Sequence, residues 1–193
     1  MLYKHTDVSQ SITMNIQTIY QQTIKFAASK HAEKNQKVPG TNLPYVVHIS
    51  NVAMEIFVAY QNTPEFNLEL AIKLALLHDT LEDTSATFEE ISKEFGYEVA
   101  EGVLALTKNE DMPKSERMVD SLFRIKKLSK EVRAVKLADR ITNLQVPPKY
   151  WSNEKKQNYL QEAIIIMDTL KGENQFLENR LEIKIKEYES YID

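Results

Sequence analysis

Leu70-Ala71-Ile72-Lys73-Leu74-Ala75-Leu76-Leu77-His78-Asp79-Thr80-Leu81-Glu82-Asp83 carries the strongest structural signal in the chain. Its apolar residues recur at three- and four-residue spacing, which predicts a helix over Leu70 to Leu81. That helix ends in one imidazole and three carboxylates. On a continuous helix His78 and Glu82 share one face and Asp79 and Asp83 another. Four such groups at the end of an apolar helix are costly to bury unless something pairs them. A divalent cation would.

The same period extends in both directions. Ile16, Ile19, Tyr20, Thr23, Ile24 and Ala27 repeat it upstream, and Val46 to Ala59 repeats it through Val47, Met54, Phe57 and Val58. Thr87 followed by Glu90 has the form of a capping box, and Gly96 stands where that short helix should stop. Helices are further expected from Tyr97 to Leu106, Pro113 to Leu128 and Glu131 to Leu144. The stretch from Asn153 to Tyr191 is expected to break into two at Gly172. No alternating strand pattern of useful length occurs. The expectation is an all-α helical bundle in a single domain spanning residues 1–193, with a core at about 20–171 and a C-terminal helix at 173–192. Two polar, proline-bearing loops, Asn35 to Pro44 and Thr107 to Pro113, either border a site or simply join helices.

Composition narrows the chemistry. The chain has 193 residues and no cysteine, which excludes disulfides, thiolate metal sites and thiol catalysis. Met1 to Tyr20 holds no continuous apolar run, and no stretch approaches the ~20 apolar residues that span a bilayer. A cytoplasmic protein without membrane attachment is expected. The net charge of -4 argues against a general nucleic-acid binder but not against a small anionic ligand, which meets a few local cations.

His48, in Tyr45-Val46-Val47-His48, and Asp139, in Val135-Lys136-Leu137-Ala138-Asp139-Arg140, complete the candidate constellation. Alone, His48 reads as a core histidine and Asp139 as one half of an ion pair with Arg140. Together with His78-Asp79 they form a mixed imidazole and carboxylate set, which suits Mn²⁺, Fe²⁺ or Zn²⁺ better than calcium.

These strings resemble the HD superfamily. Leu76 to Thr84 is similar to the HDxxED signature of RelA/SpoT-type alarmone hydrolase domains, and Val135 to Leu144 to their VKLADRxxNL string. Similarity runs from Phe26-Ala27-Ala28 through Phe95-Gly96, Met112-Pro113-Lys114 and Trp151-Ser152 to Tyr159. No synthetase domain is expected, and the chain most resembles the stand-alone small alarmone hydrolases. The resemblance implies an HD-domain fold and manganese-dependent removal of the 3′-pyrophosphate of ppGpp or pppGpp, giving GDP or GTP. It implies His48, His78, Asp79 and Asp139 as manganese ligands, and Glu82 and Asp83 as the acidic pair that positions and deprotonates water. Asn143 falls near the nucleotide sugar, and Lys37, Lys114 and Tyr159 at substrate contacts. Lys155, one turn from Tyr159, and Arg117 are further candidates for phosphate.

Bland readings stand beside these. Lys114 and Lys155 also suit solvated helix positions, Tyr159 and Trp151 suit packing, and Arg117 suits an ion pair on its own helix. His5 and His31 are read as surface residues. One departure bears on base recognition: where the family usually carries Arg-Lys, with the arginine helping to hold the base, this chain has Gln36-Lys37. Adenosine alarmones, the phosphate of NADPH, a general HD nucleotidase and a degenerate binding module are the alternatives. Oligomeric state is not legible.

Overall fold

The computed structural model describes residues 8–192, with side chains from residue 15, so His5 lies outside the described residues. Among them ten helices follow in order: α1 Val8–Glu33, α2 Val46–Asn62, α3 Leu68–Leu77, α4 Thr80–Asp83, α5 Phe88–Phe95, α6 Tyr97–Leu106, α7 Arg117–Lys126, α8 Lys130–Asn143, α9 Asn153–Thr169 and α10 Gln175–Glu189. No strand occurs among these residues beyond an isolated bridge between Lys37 and Pro44.

α3 is apolar on every side, and such a helix belongs in the interior. Leu70, Ala71, Ile72, Leu74, Ala75, Leu76 and Leu77 are all buried. α1, α2, α6 and α8 surround it. α8 is nearly as enclosed, from Glu131 through Thr142 with Arg133 excepted. The C-terminal helix α10 packs on α8, α9 and α2. Arg180 secures it there through a two-pronged ion pair to Glu55, with both N–O distances 2.6 Å.

Local signals explain the boundaries. Asn67 and Thr87 cap α3 and α5, their side chains accepting from the amides of Leu70 and Glu90. Gly96, at φ 100°, ends α5 in a conformation that favours glycine. One boundary corrects the sequence reading. The helix expected through Leu81 stops at Leu77, and α4 starts at Thr80. Asp79 sits at φ -101°, ψ 0°, outside the helical region. Leu81 keeps the apolar period across the break, so periodicity alone reads straight through it.

Candidate functional site

The break after α3 turns out the side chains that the sequence singled out. His78 is the last residue with helical backbone, and its Nδ1 lies 2.8 Å from the Ala75 carbonyl, one of the orphan acceptors at the helix end. With Nδ1 donating there, neutral His78 carries its lone pair on Nε2. That nitrogen lies 3.3 Å from Nε2 of His48, which is held at the start of α2. Asp139, near the C-terminus of α8, places Oδ1 3.4 Å from His48 Nε2 and 3.5 Å from His78 Nε2. Asp79 Oδ2 is 2.9 Å from His78 Nε2 and 3.7 Å from His48 Nε2. His48, His78 and Asp139 are buried, and Asp79 is half-buried.

This donor set fits a divalent cation. Ligands about 2.1 Å from one ion lie about 3 Å apart when adjacent, close to the separations found. Ligand atoms of His48, His78 and Asp139 all fall within 4.8 Å of one another. Buried lone pairs and carboxylates that converge in this way repel unless a cation or proton lies between them. Burial pushes His78 down, but Asp79 and Asp139 override it and hold the imidazole well above its ordinary range. Burial likewise acts upward on Asp139, yet contacts from His48 and His78, then Lys136, bring it well below the usual carboxylate range. The set is therefore built to hold positive charge.

Neighbouring side chains fix it. Tyr45 donates its hydroxyl to Asp79 Oδ2, and burial followed by the Asp79 charge keeps that phenol protonated. Asn143 donates to Asp139 Oδ1 at 2.5 Å. Lys136 Nζ is 3.5 Å from Asp139 Oδ2. Glu82 is clamped by Lys108, whose backbone N–H and ammonium lie 3.0 and 3.1 Å from its two oxygens. Asp83 Oδ2 accepts from Gln36 Nε2 at 2.8 Å.

Two cavities meet at this cluster. A strongly polar one, ≈ 210 Å³, is lined by His78, Asp79, Glu82, Asp83 and Asp139 together with the cations Lys108, Lys136 and Arg140. A larger one, ≈ 380 Å³, is mostly apolar, with Val38, Pro39, Pro147, Pro148 and Trp151 in its walls and Lys155 at its edge. Tyr45, Asn143 and Tyr159 line both. The loops that carry the apolar walls touch at Gly40. There φ is 76°, and a Cβ would come within 2.9 Å of Pro148, so glycine allows both the turn and the approach.

The structure thus gathers His48, His78, Asp79, Asp139, Glu82, Asp83, Asn143, Tyr159 and Lys155 around one cleft. The remaining sequence candidates stand apart from its lining. Lys37 and Lys114 are exposed. Arg117 spends its guanidinium on the carbonyls of Met112 and Glu110, not on an acid of its own helix. Gln36 is tied to His31 and Asp83. His31 is buried rather than on the surface, because α1 turns it inward against the Tyr45 ring. Sequence reasoning missed Tyr45, Lys108, Lys136 and Arg140. Lys136 and Arg140 lie within one turn of Asp139, and Lys108 lies in the polar loop already marked as a possible border of a site.

The HD-domain family profile matches residues 23–170. The chain belongs to the HD-domain family. Among HD-domain relatives, it is 36% identical over 166 residues to the guanosine-3′,5′-bis(diphosphate) 3′-pyrophosphohydrolase MESH1 of Danio rerio, covering 83% of this chain and 89% of that one. The human protein of the same name is 34% identical, with 84% of this chain and 90% of that one covered. A solved structure described as a metazoan orthologue of SpoT that hydrolyses ppGpp superimposes with a TM-score of 0.76 at 31% identity. That match covers 88% of this chain and 94% of the other. This HD domain therefore shares fold and near-complete span with these hydrolases.

Proposed function

We propose that this HD-domain chain is a metal-dependent phosphohydrolase that removes the 3′-pyrophosphate of guanosine 3′,5′-bis(diphosphate), giving GDP and pyrophosphate. One observation carries the reading: a cation-lined polar cavity holding the histidine–aspartate cluster opens beside an apolar cavity, and Tyr45, Asn143 and Tyr159 line both. The first suits a pyrophosphate and the second a nucleoside. The relatives over most of the chain support the substrate.

His48, His78, Asp79 and Asp139 would hold the metal, which we take to be manganese. Mixed imidazole and carboxylate donors suit it, and when bound it polarises a phosphoryl oxygen and lowers the pKa of water. The protein's own groups do the rest. Asp83 accepts the proton of the attacking water as the oxygen bonds to the phosphorus attached at the 3′ position. Burial, then the Asp79 and Glu82 charges, push the Asp83 carboxyl above its ordinary range, against the pull of Gln36 and Lys108. A raised pKa makes it a better proton acceptor than an ordinary aspartate. Glu82, held by Lys108, keeps that lysine at the cavity wall. Lys108, Lys136 and Arg140 offset the charge on the phosphoryl oxygens. The bond to the 3′ oxygen breaks, the 3′ hydroxyl takes a proton, and pyrophosphate departs.

Asn143 and Tyr159 orient the sugar where the cavities join, and Lys155, over the Trp151 ring at 4.2 Å, lies beside the nucleoside. Lys37 and Lys114 contribute as exposed charges that attract the anion. Residues 1–193 act as one domain with its core at about 20–171, and the 173–192 stretch braces the cleft, which Tyr188 helps to line. A nucleotide substrate of this kind suits an enzyme that acts in the cytoplasm. No helix among the described residues is long and apolar enough to cross a membrane.

The test is a panel of nucleotides incubated with manganese-loaded protein: ppGpp, ppApp, NADPH and 3′-monophosphates. Pyrophosphate release from the 3′-diphosphates should dominate. Turnover of NADPH or the monophosphates alone would overturn the assignment.

A further inference from the structure

Gln36 stands where the family usually carries an arginine, yet it is absent from the lining of the apolar cavity. Both ends of its amide are engaged elsewhere. Nε2 lies 2.8 Å from Asp83 Oδ2, and Oε1 lies 2.6 Å from His31 Nδ1. An ionised carboxylate only accepts hydrogen bonds, so the amide nitrogen must face Asp83. The amide oxygen then faces His31, which must donate from Nδ1 and leave Nε2 bare. That nitrogen is buried and has no partner among the described residues, so the tautomer is set from the Gln36 side alone.

His31 is itself packed in the interior. It is 2% exposed, and its ring centroid is 4.7 Å from that of Tyr45, whose own ring lies 5.0 Å from His48. The anchor therefore rests on the same packed side chains that border the histidine–aspartate cluster. Gln36 also holds the loop by backbone contacts: its N–H donates to the His31 carbonyl at 3.1 Å, and its carbonyl accepts from the Tyr45 N–H at 3.2 Å.

We infer that Gln36 is a positioning residue for Asp83: anchored by His31, its amide fixes one carboxylate oxygen and leaves the other, Oδ1, as the free proton acceptor. No hydrogen bond to Oδ1 is made by the described residues. The inference rests on the proposed hydrolase and deepens it by assigning Gln36 to the reacting end of the substrate rather than to the base. A carboxylate at a cavity mouth otherwise samples several rotamers, and small misplacements of a reacting group are costly in rate.

Two measurements test it. The ¹⁵N shifts of His31 report its tautomer without any turnover, and the Nδ1–H form is expected; an Nε2–H tautomer would break the chain and overturn the inference. Gln36→Leu removes both side-chain contacts. It should lower kcat about tenfold or more for ppGpp and for ppApp, leave both KM values within about twofold, and keep the ratio of the two specificities. The melting temperature should stay within a few degrees, since one half-buried pair of hydrogen bonds is lost. A raised KM with a changed guanine-to-adenine ratio and an unchanged kcat would overturn the inference and return Gln36 to the base. A fall in melting temperature with kcat intact would reduce it to a structural residue. If the wild type turned over neither nucleotide, the hydrolase reading would fall, and the tautomer alone would decide the contact.

Discussion

Asp83→Asn isolates the proton-transfer step from the geometry that supports it. The asparagine oxygen can still accept from Gln36 Nε2, now 2.8 Å from the carboxylate, so the side chain stays where it is. None of the four cluster residues touches the change. What disappears is the ability to take a proton. General-base loss costs roughly 100- to 10,000-fold, or about 2.7 to 5.4 kcal/mol at about 1.36 kcal/mol per tenfold. The fall should lie in kcat, with KM near normal. The wild-type kcat should also rise with pH along an acid limb placed above the ordinary carboxylate pKa of 3.8, because Asp83 must be deprotonated to act and its pKa is raised. That limb should vanish in Asp83→Asn. The assay is steady-state pyrophosphate release against pH at saturating manganese and substrate, with metal content measured in both proteins. A variant within about threefold of wild type at equal metal content would refute the reasoning.

Other expectations follow from the same geometry. His48→Ala and Asp139→Ala should each lose bound manganese by elemental analysis, and a folded double variant that kept a full equivalent would exclude the site. Burial lowers the His31 pKa below 6.5, so the unfolded chain takes up its proton first. The stability this gives is present above about pH 6.5 and is lost as pH falls through that range; His31→Gln should show a smaller drop in urea midpoint between pH 7.5 and 5.5, and an unchanged drop would count against it. Guanine should be preferred over adenine by about tenfold or less, near 1.4 kcal/mol, because Val38, Pro39, Pro147, Pro148 and Trp151 in the nucleoside cavity meet any purine alike, and Asn51, Thr142, Asn143 and Gln145 in its polar lining carry no charge to favour guanine. A ratio of kcat/KM for ppGpp over ppApp far above a hundred would contradict that.

The helices were legible wherever an apolar period met a local stop. Thr87, Gly96 and Gly172 marked their boundaries because capping and glycine signals are written in adjacent residues. The break at His78-Asp79 was not legible, since Leu81 continues the period and the turn is enforced by tertiary contacts such as Tyr45 to Asp79. The cluster residues could be named because their types and order carry the chemistry. Gln36 could not be placed. Its partners His31 and Asp83 are 5 and 47 residues away, and a loop residue's direction depends on a packing arrangement that no local pattern encodes. The direction of Arg117 was hidden for the same reason, since backbone carbonyls of the preceding loop orient its guanidinium. Lys108 was overlooked because a lysine in a polar loop looks solvated until Glu82 is set against it.

Product analysis of ppGpp incubated with manganese-loaded protein tests the central claim most directly. Hydrolysis at the 3′ position predicts GDP and pyrophosphate in equal amounts, with no inorganic phosphate formed early, and no release by the His48→Ala protein. Sequential release of single phosphates, cleavage of the 5′-diphosphate, or equal turnover after the loss of His48 would contradict it.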